Sequence, residues 1–185
     1  MSESTHINQF RLMSRYNTWM NNQIYHLAAS LTEEERKRDL GGFFKSIHGT
    51  LNHLLLTDRI WLGRFATSTK YTFPSLQSVT LVFNYESLDQ ILYTDFTELH
   101  SQRQETDQVI EHWTQELEPE ILLTTMRYRN ARNIEREHPL WFAVAHFFNH
   151  QTHHRSQVTT LLHQLGQDYG VTDFIAMYDV ARDAF

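Results

Sequence analysis

The sequence has 185 residues, of which 41% are hydrophobic and 13% aromatic, and this composition indicates a folded globular chain, not a disordered one. We expect a single domain, residues 1–185, with one substantial core. The formal charge of −6 has the wrong sign for a protein that neutralises many phosphates, so nucleic acid is not expected as a partner. Cysteine is absent, which excludes disulfides, thiolate metal ligands and a cysteine nucleophile.

The sequence shows no sign of export or membrane insertion. Its N-terminal residues contain no basic region followed by an apolar run. No stretch approaches the roughly 18 consecutive apolar residues that a membrane-spanning helix requires. We therefore expect a cytoplasmic protein without a membrane partner.

Hydrophobic residues recur at helical spacing in four long segments. Only six glycines and three prolines interrupt the chain, which favours long helices over many short strands. The predicted long helices run from about Ser4 to Ala29, Phe43 to Phe65, Ser87 to Leu117 and 139 to 165, with a short closing helix within 171–178. Residues 66–86 show no sustained period and are expected to form a long surface connection, a kind of loop that can cover a site.

The segment before the fourth long helix has a different character. Residues Ile121–Arg129, after Pro119, are β-prone, and Asn130–Asn133 can turn the chain back towards His138. We expect a small hairpin or an irregular extended loop. Pro139 suits the first turn of the fourth helix, because its missing amide hydrogen would have no partner there. The pattern as a whole predicts an all-α four-helix bundle with long crossover connections.

Four histidines lie close together in the predicted fourth helix. Helical projection points His150 and His154 towards the apolar side, whereas His153 and His146 point outwards. Residues at i and i+4 are about 5–6 Å apart at Cβ, so the inward pair can bind one divalent metal ion. Because the chain has twelve histidines, such spacing also arises by chance, and a metal site needs a further ligand from another helix.

The predicted second helix offers two candidates for that ligand, His48 and His53, and helical projection does not decide between them. Asp58 falls near the middle of the same helix's apolar stripe, where an unpaired carboxylate would be costly. Asp58 is therefore either a ligand or a residue that orients one, or it pairs with an arginine or with Tyr16 or Trp19.

Two segments resemble the paired motifs of the DinB family of metalloenzymes, and the similarity covers nearly the whole chain. The segments are Ser46–His53 with Asp58 and Trp61, and Asn149–Gln157. The resemblance implies a four-helix bundle, commonly a homodimer, in which three histidines hold a divalent metal ion. Carried over position by position, the metal ligands are His53, His150 and His154. His48 and His153 match other histidines of the motifs and are not expected to be ligands.

Three neutral imidazoles would leave a coordination position open, as in catalytic metal sites, and zinc or nickel suits nitrogen ligands. The family is similar to thiol-dependent transferases and isomerases. This similarity implies a small-molecule substrate, a low-molecular-weight thiol as cosubstrate, and S-transfer chemistry. Metal-dependent hydrolysis is the second candidate. The contrasting hypothesis is a non-catalytic, stress-induced protein that binds metal or a partner.

Three further polar residues lie near the inward histidines on the predicted fourth helix. Gln157, Asn149 and Arg155 can orient metal ligands or contact an anionic substrate. The alternative interpretation, in which they cap the helix or lie in solvent, has equal weight for Arg155 and Asn149. The sequence leaves these roles open.

Overall fold

The computed structural model describes residues 4–77 and 81–181, with the side chains of residues 7–77 and 81–177. In chain order its elements are α1 (Ser4–Ser30), α2 (Glu33–Lys37), α3 (Ile47–Thr67), α4 (Phe96–Gln115), α5 (Pro119–Leu122), β1 (Thr125–Arg129), β2 (Glu135–Pro139), α6 (Leu140–Gln164) and α7 (Phe174–Ala181). A short 3₁₀ helix, Pro74–Gln77, lies between α3 and α4.

The long helices α1, α3, α4 and α6 form a bundle in which α1 and α3 each pack against both α4 and α6. Two long connections join them, residues 68–95 between α3 and α4 and residues 116–139 between α4 and α6. The second connection contains the antiparallel hairpin β1–β2. These features confirm the predicted helical bundle with long crossovers and a small hairpin. Within the described residues, no helix is long and apolar enough to cross a membrane.

Helix α3 begins later than its hydrophobic spacing predicts, at Ile47 and not at Phe43. Phe43 is 85% exposed, so it does not belong to the apolar stripe. Lys45 has a φ of 65°, which lies in the left-handed region and is incompatible with a continuing helix. Ser46 then caps the helix with its side chain. A tight turn therefore precedes α3.

Helix α4 also begins later than predicted, at Phe96 and not at Ser87. Asp95 caps it by accepting a hydrogen bond from the Glu98 amide, 2.8 Å away. Leu88, which suggested helical spacing, is 43% exposed in an irregular segment. The first long connection is therefore longer than predicted, and its backbone carbonyls are free to contact side chains of α3.

Pro139 is the last residue of β2 and the cap of α6, not a residue of the first helical turn. In the hairpin it lies opposite Thr125, and Met126 of β1 is fully buried. The amide of Leu140 donates to the Thr124 carbonyl at 2.7 Å, which joins the start of α6 to the residue before β1. The hairpin is thereby fixed against the bundle beside α6.

The hydrophobic core consists of two clusters separated by a polar level. On α3, Leu51–Leu55 contributes to one cluster and Trp61–Phe65 to the other, with Asp58 between them. On α6, Phe147 and Val158 are separated in the same way, and the residues between them are largely polar. The histidines predicted to bind metal belong to this polar level.

Candidate metal centre

Three histidines from α3 and α6 converge in the structure. His150 and His154 lie one turn apart on α6, and their ring centroids are 4.3 Å apart. The ring of His53 on α3 lies 4.5 Å from that of His154 and 5.3 Å from that of His150. One ring nitrogen from each residue lies within 4.8 Å of the others. The three imidazoles therefore surround one point to which each can direct a lone pair.

The hydrogen bonds of two of these rings fix where their protons lie. Nδ1 of His53 is 2.7 Å from the Leu88 carbonyl, which can only accept, so this nitrogen donates. Nδ1 of His154 likewise donates to Oε1 of Gln157 at 2.7 Å. In a neutral ring the other nitrogen, Nε2, then carries a lone pair. The two Nε2 atoms face each other at 3.3 Å with no proton between them, an arrangement that a bound cation would stabilise.

The surroundings keep these rings neutral, which is the form that binds metal. Burial lowers the pKa of His53 to about 4, against the opposing effect of its hydrogen bond to the Leu88 carbonyl. Burial also lowers the pKa of His150 to about 3, and the neighbouring histidines add to this effect. The pKa of His154 is lowered by burial as well. All three imidazoles are therefore neutral near pH 7, each with one N–H and one lone pair.

The ligand set consists of nitrogen alone. Within the described part of the chain, these three histidines are the one group of histidine, aspartate and glutamate residues with metal-ligand spacing. Neutral imidazoles suit zinc and nickel. They leave the charge of a divalent ion uncompensated, which favours an anionic group at an open coordination position. The residues present thus fit a divalent metal ion.

An aromatic ring covers one side of the site. The Phe44 ring stacks on His53 with the centroids 3.8 Å apart, and its centroid is 5.5 Å from that of His154. A Cβ atom at Gly49 would lie 2.2 Å from the Phe44 carbonyl oxygen, so only glycine permits this close approach. The tight turn before α3 therefore places Phe44 against the histidines.

The other predicted histidines lie outside the group. Nε2 of His48 is hydrogen-bonded to the Tyr93 carbonyl at 2.9 Å, so this ring is held by the first long connection. His153 is exposed, as predicted. His146 is exposed too, but its ring centroid lies 6.1 Å from that of His150 and it lines the cavity beside the group. Between His48 and His53, the structure thus brings His53 to the pair on α6.

Asp58 forms an ion pair with an arginine, one of its predicted alternatives, and is not part of the histidine group. Its Oδ2 atom lies 2.6 Å from Nη1 of Arg103, and Nη2 of Arg103 lies 2.8 Å from Asp107. Asn17 and Asn21 donate hydrogen bonds to Asp107. All of these side chains are buried, so they form an ion cluster in the centre of the bundle.

The polar residues around the α6 histidines have separate roles. Gln157 orients His154, as one interpretation of the sequence predicted. Arg155 neither lies in solvent nor reaches the site, because it is buried, donates to Asn17 and packs over the Tyr16 ring. Asn149 is exposed, in agreement with its surface alternative.

A cavity of about 260 Å³ opens beside the histidine group. His53 and His150 line it together with Tyr85 and Tyr128. These tyrosines come from the first long connection and from β1. The loop character of residues 66–86 is typical of a segment that can cover a site, but no sequence signal singles out Tyr85 or Tyr128. Helical projection describes the faces of one helix, so it cannot detect residues from a loop that folds back over that helix.

Comparison with known proteins agrees with this fold. The model of the DinB family matches residues 1–183. The chain is similar to protein DinB of Bacillus subtilis (strain 168), with 22% identity over 167 residues that cover 86% of this chain and 87% of that protein. It also resembles the crystal structure of a DinB-like protein from Bacillus cereus ATCC 10987, with a TM-score of 0.57 and 17% identity over 83% of this chain and 91% of that one. The chain therefore belongs to the DinB family.

Proposed function

We propose that this protein is a divalent-metal-dependent enzyme that acts on a small molecule, with His53, His150 and His154 as its metal ligands. One observation supports the ligand set above all others. The Nε2 lone pairs of His53 and His154 face each other at 3.3 Å, while both Nδ1 protons are engaged elsewhere. The membership of the DinB family adds independent support.

Zinc or nickel in this ligand set would act as a Lewis acid that favours the ionised form of a thiol or of water near neutral pH. The chain provides the surroundings for this chemistry. His53 and His150 open onto the cavity, so a small molecule can approach from that side. Phe44 does not line the cavity, and its ring stacks on His53 and shields that imidazole from water. Leu88 and Gln157 fix the orientation of the two rings that they contact.

The reaction that we propose is S-transfer from a low-molecular-weight thiol to an electrophile. The thiol loses its proton to solvent, and the sulfur electron pair forms a bond to the electrophilic carbon. The leaving group departs with the electron pair of its former bond. The thiol must come from a cosubstrate, because the chain has no cysteine.

The ligand assignment is tested by elemental analysis of the purified protein. We expect zinc or nickel in the wild type, and loss of it in His53→Ala, His150→Ala and His154→Ala. His153→Ala is the matched control, because this exposed histidine lies on the same helix and should leave the metal content unchanged. Equal metal content in all five proteins would exclude the proposed site.

The reaction is tested with the metal-loaded protein, an aryl halide and a panel of cellular thiols that includes glutathione, bacillithiol and mycothiol. We expect thioether formation that is lost in His150→Ala and after chelation of the metal. A second assay supplies a test ester and no thiol, and hydrolysis of that ester would instead identify a hydrolase. Inactivity in both assays with metal bound would favour a non-catalytic metal-binding protein.

A further inference from the structure

The cavity beside the histidine group continues into a larger one. The second cavity has a volume of about 460 Å³ and lies between the first long connection and the hairpin. Arg64, Tyr85 and Tyr128 line both cavities. The two therefore form one cleft, with the histidines at its inner end and Arg64 midway along it.

Helix α3 provides one wall of this cleft with a single stripe of residues. His53, Thr57, Ile60 and Arg64 all line the inner cavity. Their spacings of four, three and four residues place them on the same face of the helix. His53 and Arg64 are about 16 Å apart along the helix axis at a rise of about 1.5 Å per residue. Because helical side chains lean towards the N-terminus, Arg64 reaches back towards the histidines.

Two aromatic rings hold the Arg64 side chain. The guanidinium carbon lies 4.8 Å from the centroid of the Trp61 ring and 4.7 Å from that of Tyr128. Such stacking uses the faces of the planar guanidinium group and leaves its N–H donors, which point outwards in the plane, able to bind an acceptor. The rings therefore position a rigid cation, and its hydrogen bond to Tyr85 engages only part of its five N–H donors.

The charge around Arg64 is not balanced by a neighbouring acid. Among the residues that the structure describes, no carboxylate lines the inner cavity and Arg64 takes part in no ion pair. The nearest acidic residue in the lining of the cleft is Glu86, in the wider outer cavity, which Arg129 also lines. Burial lowers the pKa of Arg64, and nearby Tyr85 and Tyr128 oppose this effect. With a divalent ion at the histidines, both ends of the inner cavity would be positive.

We propose that Arg64 binds the carboxylate of the substrate or cosubstrate, and that this ligand is an organic acid whose carboxylate is separated from its metal-binding end by an apolar segment. The apolar segment would lie along Ile60 and Trp61, between the two cationic ends of the cavity. This inference rests on the proposed function, because it needs a metal ion at the histidines. It assigns the specificity of the cleft to a residue outside the ligand set.

The test uses the cobalt-loaded protein and two matched series of probes. One series is the ω-mercapto carboxylates of increasing chain length, and the other is the ω-mercapto alcohols of the same lengths. Binding of the thiol end is followed by the change in cobalt absorbance. We expect the wild type to bind the acid of best-fitting length about tenfold or more tightly than its alcohol, as a charge-assisted hydrogen bond would produce.

Two variants of Arg64 separate its charge from its shape. Arg64→Gln should abolish the preference for the acid and leave alcohol binding unchanged, and Arg64→Lys should retain part of the preference. Arg132→Gln is the control, because it removes one positive charge from the exposed hairpin turn without touching the cleft.

The outcomes separate this inference from the proposed function. If the wild type shows no preference for the acid at any chain length, or if Arg64→Gln retains that preference, then Arg64 does not bind the carboxylate. Neither result would contradict the proposed metal site. If no thiol of either series changes the cobalt absorbance, both the proposed thiol chemistry and this inference are wrong.

Discussion

Two polar clusters share helix α3: one lies in the centre of the bundle with residues of α1 and α4, and the other lies beside the cleft with two histidines of α6. In the central cluster, Arg103 pairs with Asp58 at 2.6 Å and with Asp107 at 2.8 Å. In the cluster beside the cleft, His53 and His154 direct two lone pairs at each other across 3.3 Å. The first cluster contains its own counter-charges, whereas the second consists of acceptors without a donor.

This difference in internal partners indicates a different role for each cluster. Polar groups buried in a low-dielectric interior are costly unless they find partners. The central cluster finds its partners within the chain, so its contribution is to the stability and register of the bundle. The histidine cluster needs a cation from solution, so its contribution is to binding. Substitutions should therefore affect folding in one cluster and metal binding in the other.

The largest effect should follow from Arg103→Met, which leaves the Asp58 and Asp107 carboxylates buried without their shared cation. Removing one member of a buried ion pair costs about 3–5 kcal/mol of unfolding free energy, measured by denaturant titration. Arg127→Met is the control, because this exposed arginine pairs with Glu137 at the surface and its loss should have little effect. Equal stability of the two variants would contradict the central role of Arg103.

The stability deficit of Arg103→Met should also depend on pH. Burial raises the pKa of Asp58 to about 7 even though Arg103 opposes this effect, and without the cation the pKa should rise further. A carboxyl group whose folded pKa exceeds its unfolded value stabilises the folded state at low pH and loses this contribution as the pH rises. Unfolding curves should therefore show a smaller deficit at about pH 5 than at about pH 8. A constant deficit would argue against buried, unpaired carboxylates.

The second effect is metal-dependent stability. Zinc or nickel at about a hundred times its dissociation constant should raise the unfolding free energy of the wild type by about 2.7 kcal/mol, because the ion binds only the folded state. His150→Ala should show no such gain, and His153→Ala should respond as the wild type does. Thermal unfolding with and without metal measures the difference. A metal response retained in His150→Ala would mean that the ion binds elsewhere.

A smaller effect is expected from Gly49→Ala. The new Cβ would meet the Phe44 carbonyl at 2.2 Å, so the turn before α3 must shift, at a cost of about 1–3 kcal/mol in unfolding free energy. Gly42→Ala is the matched control, since its Cβ would make an ordinary 3.7 Å contact with Leu161. Denaturant titration of both variants is the measurement, and the two should differ clearly if the turn is held as closely as described.

The smallest effect is on metal affinity in Gln157→Ala. Loss of the acceptor for Nδ1 of His154 frees that ring to rotate and to change tautomer, and should weaken metal binding about tenfold while the fold stays intact. Competition with a chromogenic chelator measures the affinity. Gln164→Ala, an exposed position on the same helix, should bind metal as the wild type does. Unchanged affinity in Gln157→Ala would show that the hydrogen bond does not hold the ring.

The sequence predicts the long helices well, because each buries a stripe of hydrophobic residues with helical period. It misplaces the start of α4, since Leu88 and Leu92 continue the period although the chain around them is irregular. Helical projection also predicts the inward pair of histidines on α6. It could not choose between His48 and His53, because the choice depends on the Leu88 and Tyr93 carbonyls that engage these rings.

The cleft could not be predicted from the sequence either, because it also depends on contacts between helices and connecting segments. Arg64 lies eleven residues after His53, which places both residues on the same face of a helix. This spacing indicates a shared cavity only when His53 is known to face one. Tyr85 and Tyr128 come from connections whose path no periodicity describes. Asp58 is an intermediate case, since its burial predicts a partner but the sequence does not indicate which of the sixteen basic residues that partner is.

The acceptor that holds His53 is a main-chain carbonyl of residue 88. Every amino acid offers the same carbonyl, so the side chain at this position can change during evolution without loss of the hydrogen bond. Neighbouring Tyr85 lines the cleft with its side chain and is free to vary in size and polarity. One connection can thus preserve the orientation of a metal ligand while it diversifies the pocket, which gives related chains a route to new substrates on an unchanged metal centre.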